Sequence, residues 1–258
     1  GHPQRRRRRG AMRASQRTQL LGTPEDGAAP AATTRYTIDD AVCPPTDPDA
    51  LRRLVRKHIR TLPKYWTRKP VAEHTARAFE EALDFASRCG ASAEGARTKI
   101  ILDSGCGTGK SSFLLGEKYP DCVVLGIDRS LARLSRNAAY DPQGDERPGN
   151  QRPPHGKHGN VLLLRAELTD FWKCCLASSR WQRFHVQRHY LLYPNPYPKN
   201  ARLKRRFYAH PAFPLLMLTL TTAHARDGST DAEEPGALVL RSNWKGYLDE
   251  FKLAVDVW

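Results

Sequence analysis

The residues with the most chemical content lie in the run DSGCGTGKSS, residues 103–112. Its end, Gly109-Lys110-Ser111, has the form of a phosphate-binding P-loop, G-x-x-x-x-G-K-[ST], but the first glycine of that motif falls on Ser104. The dinucleotide fingerprint G-x-G-x-x-G fails as well, because after Gly105 and Gly107 its third glycine falls on Lys110. What remains is Asp-x-Gly-x-Gly-x-Gly directly after a predicted strand, with a second acid, Asp128, closing the next strand. Gly105, Gly107 and Gly109 allow a sharp turn and close approach of backbone to a ligand, and a carboxylate at the end of the second strand can accept both hydroxyl hydrogens of a ribose. Asp103 at the loop entrance repels a polyphosphate and favours an ammonium-bearing ligand such as the methionine end of S-adenosyl-L-methionine. The combination reads as a methyl-donor site, with a dinucleotide site or a purely structural turn as the alternatives. Cys106 in the turn and Arg129 beside Asp128 count among its binding positions. A third acid, Glu167 in AELTDFW, falls at the end of the third strand, where it can accept an adenine amino group while Leu168 packs on the ring. Glu167 can equally serve the N-terminal dipole of the helix that follows.

A second segment, HYLLYPNPYPKNARLKRRFYAHPAF (residues 189–213), supplies different chemistry. Three prolines within five residues fix a rigid loop after the fourth strand, where a methyl acceptor would meet the donor. Asn195 can both donate and accept, Tyr193 and Tyr197 can stack on a base, and Lys199, Arg202, Lys204, Arg205 and Arg206 can hold phosphates. Helical spacing sets Arg202 on one face with Arg205 or Arg206. The plainer alternative is a rigid turn followed by a solvated helix.

These residues need an alternating scaffold. Strands are predicted at 99–103, 122–127, 160–166, 185–193 and 237–242, and helices at about 109–118, 130–139, 167–176, 203–222 and 244–254. That order implies an α/β fold, a parallel sheet with helices on both faces. Upstream, LRRLVRKHIR places Leu51, Leu54, Val55 and Ile59 on one helical face with five cations around them, and a second helix is expected over 71–89 after Pro70. The segment TLPKYWTRKP between them reads as an aromatic, basic loop, and the polar segments 141–160 and 225–236 as surface loops. Residues 1–50 form a basic arm or targeting segment, 51–98 the N-terminal helices, and 99–258 the catalytic domain.

The chain of 258 residues carries 42 Lys and Arg against 27 Asp and Glu, a formal charge of +15 that favours a polyanionic partner, above all nucleic acid. Its six cysteines form no C-x-x-C pair or zinc spacing and read as reduced thiols of an intracellular protein. No apolar run reaches membrane length. The Arg-rich, Ser-containing, acid-poor start suits a mitochondrial transit segment, a nuclear signal or an RNA-binding arm, which favours the mitochondrial matrix, with the nucleus and cytoplasm as alternatives.

ILDSGCGTGKSSFLLGEKYPDCVVLGID, YPNPYPKNARLKRRF…HPAF and LRSNW…Y…EF together resemble the TrmB-like tRNA guanine-N7 methyltransferases, over about residues 99–255. The resemblance implies a Rossmann-like S-adenosylmethionine-dependent methyltransferase, with the cofactor held by the positions of Asp103, Gly105, Asp128 and Glu167. It also implies that Asn195 and Asn243 stand at family acidic positions and orient the base, since the chain reads P-N-P-Y and S-N-W where the family has F-P-D-P-W and T-D-W. RKPVAEHTARAF (68–79) is similar to the upstream segment of a proteobacterial and eukaryotic side branch that shares the Asn version. Guanine N7 already offers a lone pair, so transfer needs alignment more than a base and tolerates Asn. A carboxylate would nevertheless stabilise the cationic product better, so a weaker or retargeted enzyme is expected. Two alternatives stay open: exocyclic amine methylation, if Asn195-Pro196-Tyr197 imitates an N-P-P-Y motif, and a catalytically silent RNA-binding protein of ribosome or ribonucleoprotein assembly. The second draws on the family fold's continuation, past the position of Trp258, into a strand pair bearing a T-x-x-E element.

Overall fold

The computed structural model describes residues 46–90, 97–140, 159–221 and 236–258. The arm up to residue 45 and nearly all of the polar segments 141–160 and 225–236 lie outside these described residues. Five strands, β1 (Thr98–Ser104), β2 (Val123–Asp128), β3 (Val161–Arg165), β4 (Phe184–Leu192) and β5 (Ala237–Arg241), form one all-parallel sheet in the order β3-β2-β1-β4-β5. Side chains alternate between two cores. Ile100, Leu102, Val123, Leu125, Leu162 and Leu164 join the larger cluster, whereas Ile101, Val124 and Leu163 join the smaller one. A sheet apolar on both faces must be covered on both, which is the Rossmann-like arrangement expected from the sequence. β5 pairs only with β4 among the described residues, and its side chains are half-exposed or exposed.

Eight α-helices surround the described sheet: α1 (Pro48–Arg60), α2 (Leu62–Thr67), α3 (Glu73–Cys89), α4 (Lys110–Lys118), α5 (Leu131–Leu134), α6 (Leu168–Ala177), α7 (Phe213–Thr221) and α8 (Lys245–Val257). α1 buries Leu51 and Val55 as its periodicity predicts, and also His58, whose Nε2 lies 3.1 Å from the carbonyl oxygen of Ala209. No helix among the described residues is long and apolar enough to cross a membrane.

Four sequence expectations need correction. The segment expected as an aromatic loop contains α2, started by Pro63. α3 begins at Glu73 rather than at residue 71, because the amide of Ala72, its extended N-cap, donates to Asp170 Oδ2 at 3.3 Å. The helix expected over 130–139 stops after Leu134, since the Asn137 side chain accepts from the amide of Ala139 and donates to the carbonyl of Thr108, replacing the helical ladder. The helix expected over 203–222 is instead two 3-10 helices, Asn200–Arg205 and Phe207–Ala209, followed by α7. Pro211 forces His210 into an extended conformation (φ −89°, ψ 146°) and divides the segment.

The β1–β4 register slips between Ile100 and Ile101: Val186 pairs with Ile100 but Arg188 pairs with Ile101, so Gln187 is the extra residue of a bulge. One inserted residue reverses the alternation that follows it. Phe184 and Val186 face the larger core before the bulge, and Leu191 faces it after, while Tyr190 turns to the smaller one. The bulge therefore aims His189 at the larger core, beneath the end of β1.

Candidate active site at the carboxyl edge of the sheet

Asp103 and Asp128 end neighbouring parallel strands, and the turn after β1 crosses the top of β2, with the amides of Gly105 and Cys106 donating to the carbonyl of Ile127 at 2.7 and 3.1 Å. Gly105 and Gly107 have φ of +81° and +64°, so the turn needs glycine for its backbone conformation. Gly109 is also left-handed, and a Cβ there would lie 2.5 Å from Leu163 Cδ1, so it lets α4 sit down on β3.

Asp103 is almost fully buried, and its Oδ2 accepts from the hydroxyls of Ser111 and Ser112 at 2.6 and 2.7 Å. Burial raises its pKa; the two serine hydroxyls oppose the rise and the Asp128 charge adds to it. Its other oxygen, Oδ1, is buried without a hydrogen-bond partner. A buried carboxylate oxygen left unpaired is costly, and a cationic donor such as a methionyl ammonium would remove that cost. Cys106 lines the smaller core, its thiol pushed well up by burial and by the charges of Asp103 and Asp128, which keeps it protonated and unreactive.

Asp128 serves the protein before it serves a ligand. Oδ2 accepts from the amide of Gly107 at 3.0 Å and from Arg133 Nη1 at 3.4 Å, and Oδ1 accepts from the amide of Ser130 at 2.8 Å. A carboxylate offers about four acceptor positions, so gripping both ribose hydroxyls requires the exposed Arg133 to let go. Glu167 is the N-cap residue of α6 and makes no side-chain capping bond; its amide donates to Thr75 Oγ1 of α3 at 3.1 Å. Leu168 packs against the larger core, and Arg129 is exposed.

Beneath the turn lies a polar chain that sequence reasoning missed. Trp172 Nε1 donates to Ser104 Oγ at 3.3 Å, Ser104 Oγ meets His189 Nε2 at 2.8 Å, and His189 Nδ1 meets Thr219 Oγ1 at 2.9 Å. The Thr219 hydroxyl donates to the carbonyl of Leu216 at 2.7 Å, so it accepts from Nδ1–H, and Nε2 accepts from the serine. Burial lowers the pKa of His189 to about 3, which matches a neutral ring with one proton. The available signal was a histidine inside an apolar strand next to a serine-bearing strand end; the bulge that brings them together has no sequence marker.

At the end of β4, the following loop contains two non-glycine residues at positive φ, Tyr193 (50°) and Tyr197 (45°). The amide of Tyr193 donates to the carbonyl of Arg241 at 2.8 Å, and the amide of Tyr197 donates to Asn195 Oδ1 at 3.1 Å. The carboxamide oxygen of Asn195 therefore faces into its own loop, leaving Nδ2 as the group free to donate outward. Asn243 is exposed between β5 and the buried Trp244. Lys199, Arg202, Lys204 and Arg205 are exposed, and three-residue periodicity puts Arg202 and Arg205 on one side of the 3-10 helix. Arg206 departs from the phosphate-binding expectation: it is 0% exposed, and Nη1 reaches Glu250 Oε2 at 2.7 Å. Arg206 stands between the two 3-10 helices in an extended conformation (φ −70°, ψ 139°) and is held inside the core, so it cannot meet a phosphate. Among the described residues no cluster of His, Cys, Asp or Glu could hold a metal ion.

Residues 97–238, more than half of the chain, match the family model Methyltransf_4, described as "Putative methyltransferase". The chain belongs to this methyltransferase family. A tRNA (guanine-N(7)-)-methyltransferase of Anopheles gambiae is 25% identical to it over 112 residues, 43% of each protein, so the match spans less than half the length of that relative. Among solved structures, the antibiotic-resistance methyltransferase Kmr aligns with 16% identity over 62% of this chain and 78% of its own, at a TM-score of 0.32. The plantazolicin methyltransferase BpumL in complex with SAH aligns with 13% identity over 67% and 54%, at a TM-score of 0.29. For this methyltransferase, S-adenosyl-L-methionine is the donor that the fold, the glycine turn and the unpaired oxygen of Asp103 fit.

Proposed function

We propose that the protein transfers a methyl group from S-adenosyl-L-methionine to N7 of a guanine in tRNA. The observation that carries this reading is the rigid Tyr193–Lys199 loop at the same sheet edge as the glycine turn, continued by exposed Lys199, Arg202, Lys204 and Arg205. The name of the mosquito relative points to the same base. The cofactor supplies an electrophilic methyl group when bound. Asp103 is the residue to hold its ammonium end and Asp128 its ribose, while Glu167 and Leu168 face the adenine.

Guanine N7 is nucleophilic as it stands, so this chain's residues must align the base and exclude water rather than remove a proton. The outward Nδ2 of Asn195 can donate to guanine O6, which lies on the same edge as N7. Accepting an exocyclic amino hydrogen would fall to Asn195 Oδ1, which already accepts from the amide of Tyr197 and has a second lone pair left, so the position of the transferred methyl group decides between N7 and the amine. Neither Asn195 nor Asn243 supplies a carboxylate for the cationic product, so turnover slower than that of an acidic homologue is expected. Incubating the protein with methyl-labelled cofactor and tRNA, then digesting to nucleosides, should place the label in 7-methylguanosine. Label in an exocyclic amine would overturn the choice of atom. No label in any RNA, with cofactor binding intact by calorimetry, would leave an RNA-binding protein without turnover.

A further inference from the structure

We infer that Arg206 is a positioning residue that sets the acceptor half of the site by tying the Asn195 loop to the Asn243 turn. The inference rests on the reading of the Tyr193–Lys199 loop as the acceptor side. The guanidinium donates through Nε to the carbonyl of Tyr197 and through Nη2 to that of Pro198, both at 3.3 Å. Through Nη1 it donates to the Tyr208 hydroxyl at 2.9 Å and to Glu250 Oε2 at 2.7 Å. Its flat face lies over the indole of Trp244, 4.8 Å from the ring centroid. Glu250, on α8, also accepts from the Tyr208 hydroxyl and, through Oε1, from the amide of Thr46 at 2.6 Å.

A lone buried charge is very costly, and an ion pair with Glu250 would by itself answer that cost. It would not explain why two further donors are spent on consecutive carbonyls of a surface loop. Those carbonyls belong to the part of the loop that local sequence cannot fix. Pro194, Pro196 and Pro198 lock their own φ, but Tyr197 holds a left-handed φ of 45° that a tyrosine abandons unless its surroundings over-determine it. Asn195 secures the amide of Tyr197, and Arg206 secures its carbonyl. On its other face the same guanidinium packs on Trp244, the residue directly after Asn243 and the N-cap of α8. One planar group thus fixes how far apart the two asparagines stand. Lysine could keep the charge beside Glu250, but it has neither the fork to reach two carbonyls nor the flat face for the indole.

The test is Arg206→Lys in the full chain, with Tyr208→Phe as the comparison, since that hydroxyl touches Arg206 and Glu250 but not the loop. Arg206→Lys should leave cofactor affinity within about twofold by calorimetry, because the cofactor half is secured by its own bonds. It should speed amide exchange at Tyr197 about tenfold, with the amides of 105–107 unchanged. It should also lower kcat on tRNA about a hundredfold at saturating RNA without a matching change in the cofactor KM. Tyr208→Phe should leave exchange at Tyr197 within about twofold. Unchanged exchange at Tyr197, exchange raised equally throughout the chain, or a reduced salt slope of RNA binding with kcat intact would each overturn the inference. If Arg206→Lys does not fold, Arg206→Met combined with Glu250→Gln removes both charges together, a change that buried pairs tolerate better, and takes the same readouts. Failure of both to fold would assign Arg206 to stability alone and also overturn the inference. A wild-type protein that methylates no RNA would sink the proposed function while leaving the exchange measurements to decide the role of Arg206.

Discussion

At the ends of β1 and β2 the polar side chains are fixed by partners close in sequence, Asp103 by Ser111 and Ser112, and Asp128 by Gly107, Ser130 and Arg133. At the ends of β4 and β5 the corresponding work is done at a distance: Tyr193 is bonded to Arg241, and Arg206 bridges Tyr197 and Pro198 to Glu250 and Trp244. The first region is therefore built from the β1–turn–α4 unit and the adjoining end of β2, whereas the second draws on β5 and α8. Such an arrangement keeps the donor site general and lets the acceptor site change with the residues behind it.

If the two halves are independent, breaking one should spare the other. Asp128→Ala should weaken cofactor binding by about 1.5–3 kcal/mol, the worth of hydrogen bonds to a charged group, with exchange at the Tyr197 amide unchanged. A loop at 193–199 that loosened as well, followed by amide exchange, would show the halves to be coupled. Gly126→Ala tests how locally the first half is built. A Cβ there would lie 2.4 Å from Ser112 Oγ and 2.6 Å from Leu163 Cδ2, displacing the hydroxyl that secures Asp103. A loss of about 1–3 kcal/mol in urea unfolding and a weaker cofactor complex should follow.

His189 joins the halves from below, and its protonation gives a pH signature. Its folded pKa of about 3 lies below the ordinary value of 6.5, so the unfolded chain takes up a proton that the native state refuses. Its contribution is complete above pH 6.5 and is lost as the pH falls toward 3, at up to about 1.4 kcal/mol per pH unit. His189→Gln, which keeps an acceptor toward Ser104, should flatten the decline of stability between about pH 6 and 4 by close to one proton. The smallest effect is expected at the exposed rim. Arg202→Gln with Arg205→Gln should reduce the salt slope of RNA binding by about 1.4–1.8, leaving cofactor affinity untouched; an unchanged slope would make that face merely solvated.

The difference between the halves also explains what could be read in advance. The five strands, the glycine turn and the pair Asp103–Asp128 follow from short-range patterns, and the structure places them as expected. Arg206 shared a basic run with Arg202 and Arg205, and nothing within that run marks it as buried; only its extended backbone between the two 3-10 helices and the position of Glu250 decide it. His189 was hidden for a similar reason, because the bulge at Gln187 that turns it inward is a property of pairing with β1 rather than of β4 alone. The interrupted helices at 130–139 and 203–222 show apolar periodicity overruled by an Asn side chain and by a proline.

The half-exposed β5 bears on how the protein behaves in bulk solution. Ala237–Arg241 pairs with β4 alone among the described residues, and its side chains are half-exposed or exposed, so of the five strands it contributes least to either core. Two copies carrying a formal charge of +15 repel each other while the Debye length is about 10 Å, near 0.1 M salt. At 1 M salt that length falls to about 3 Å, and the repulsion goes with it. The half-exposed surface of β5 is thus kept from that of a second copy by charge at low salt and not at high salt, so colloidal stability should fall as salt rises.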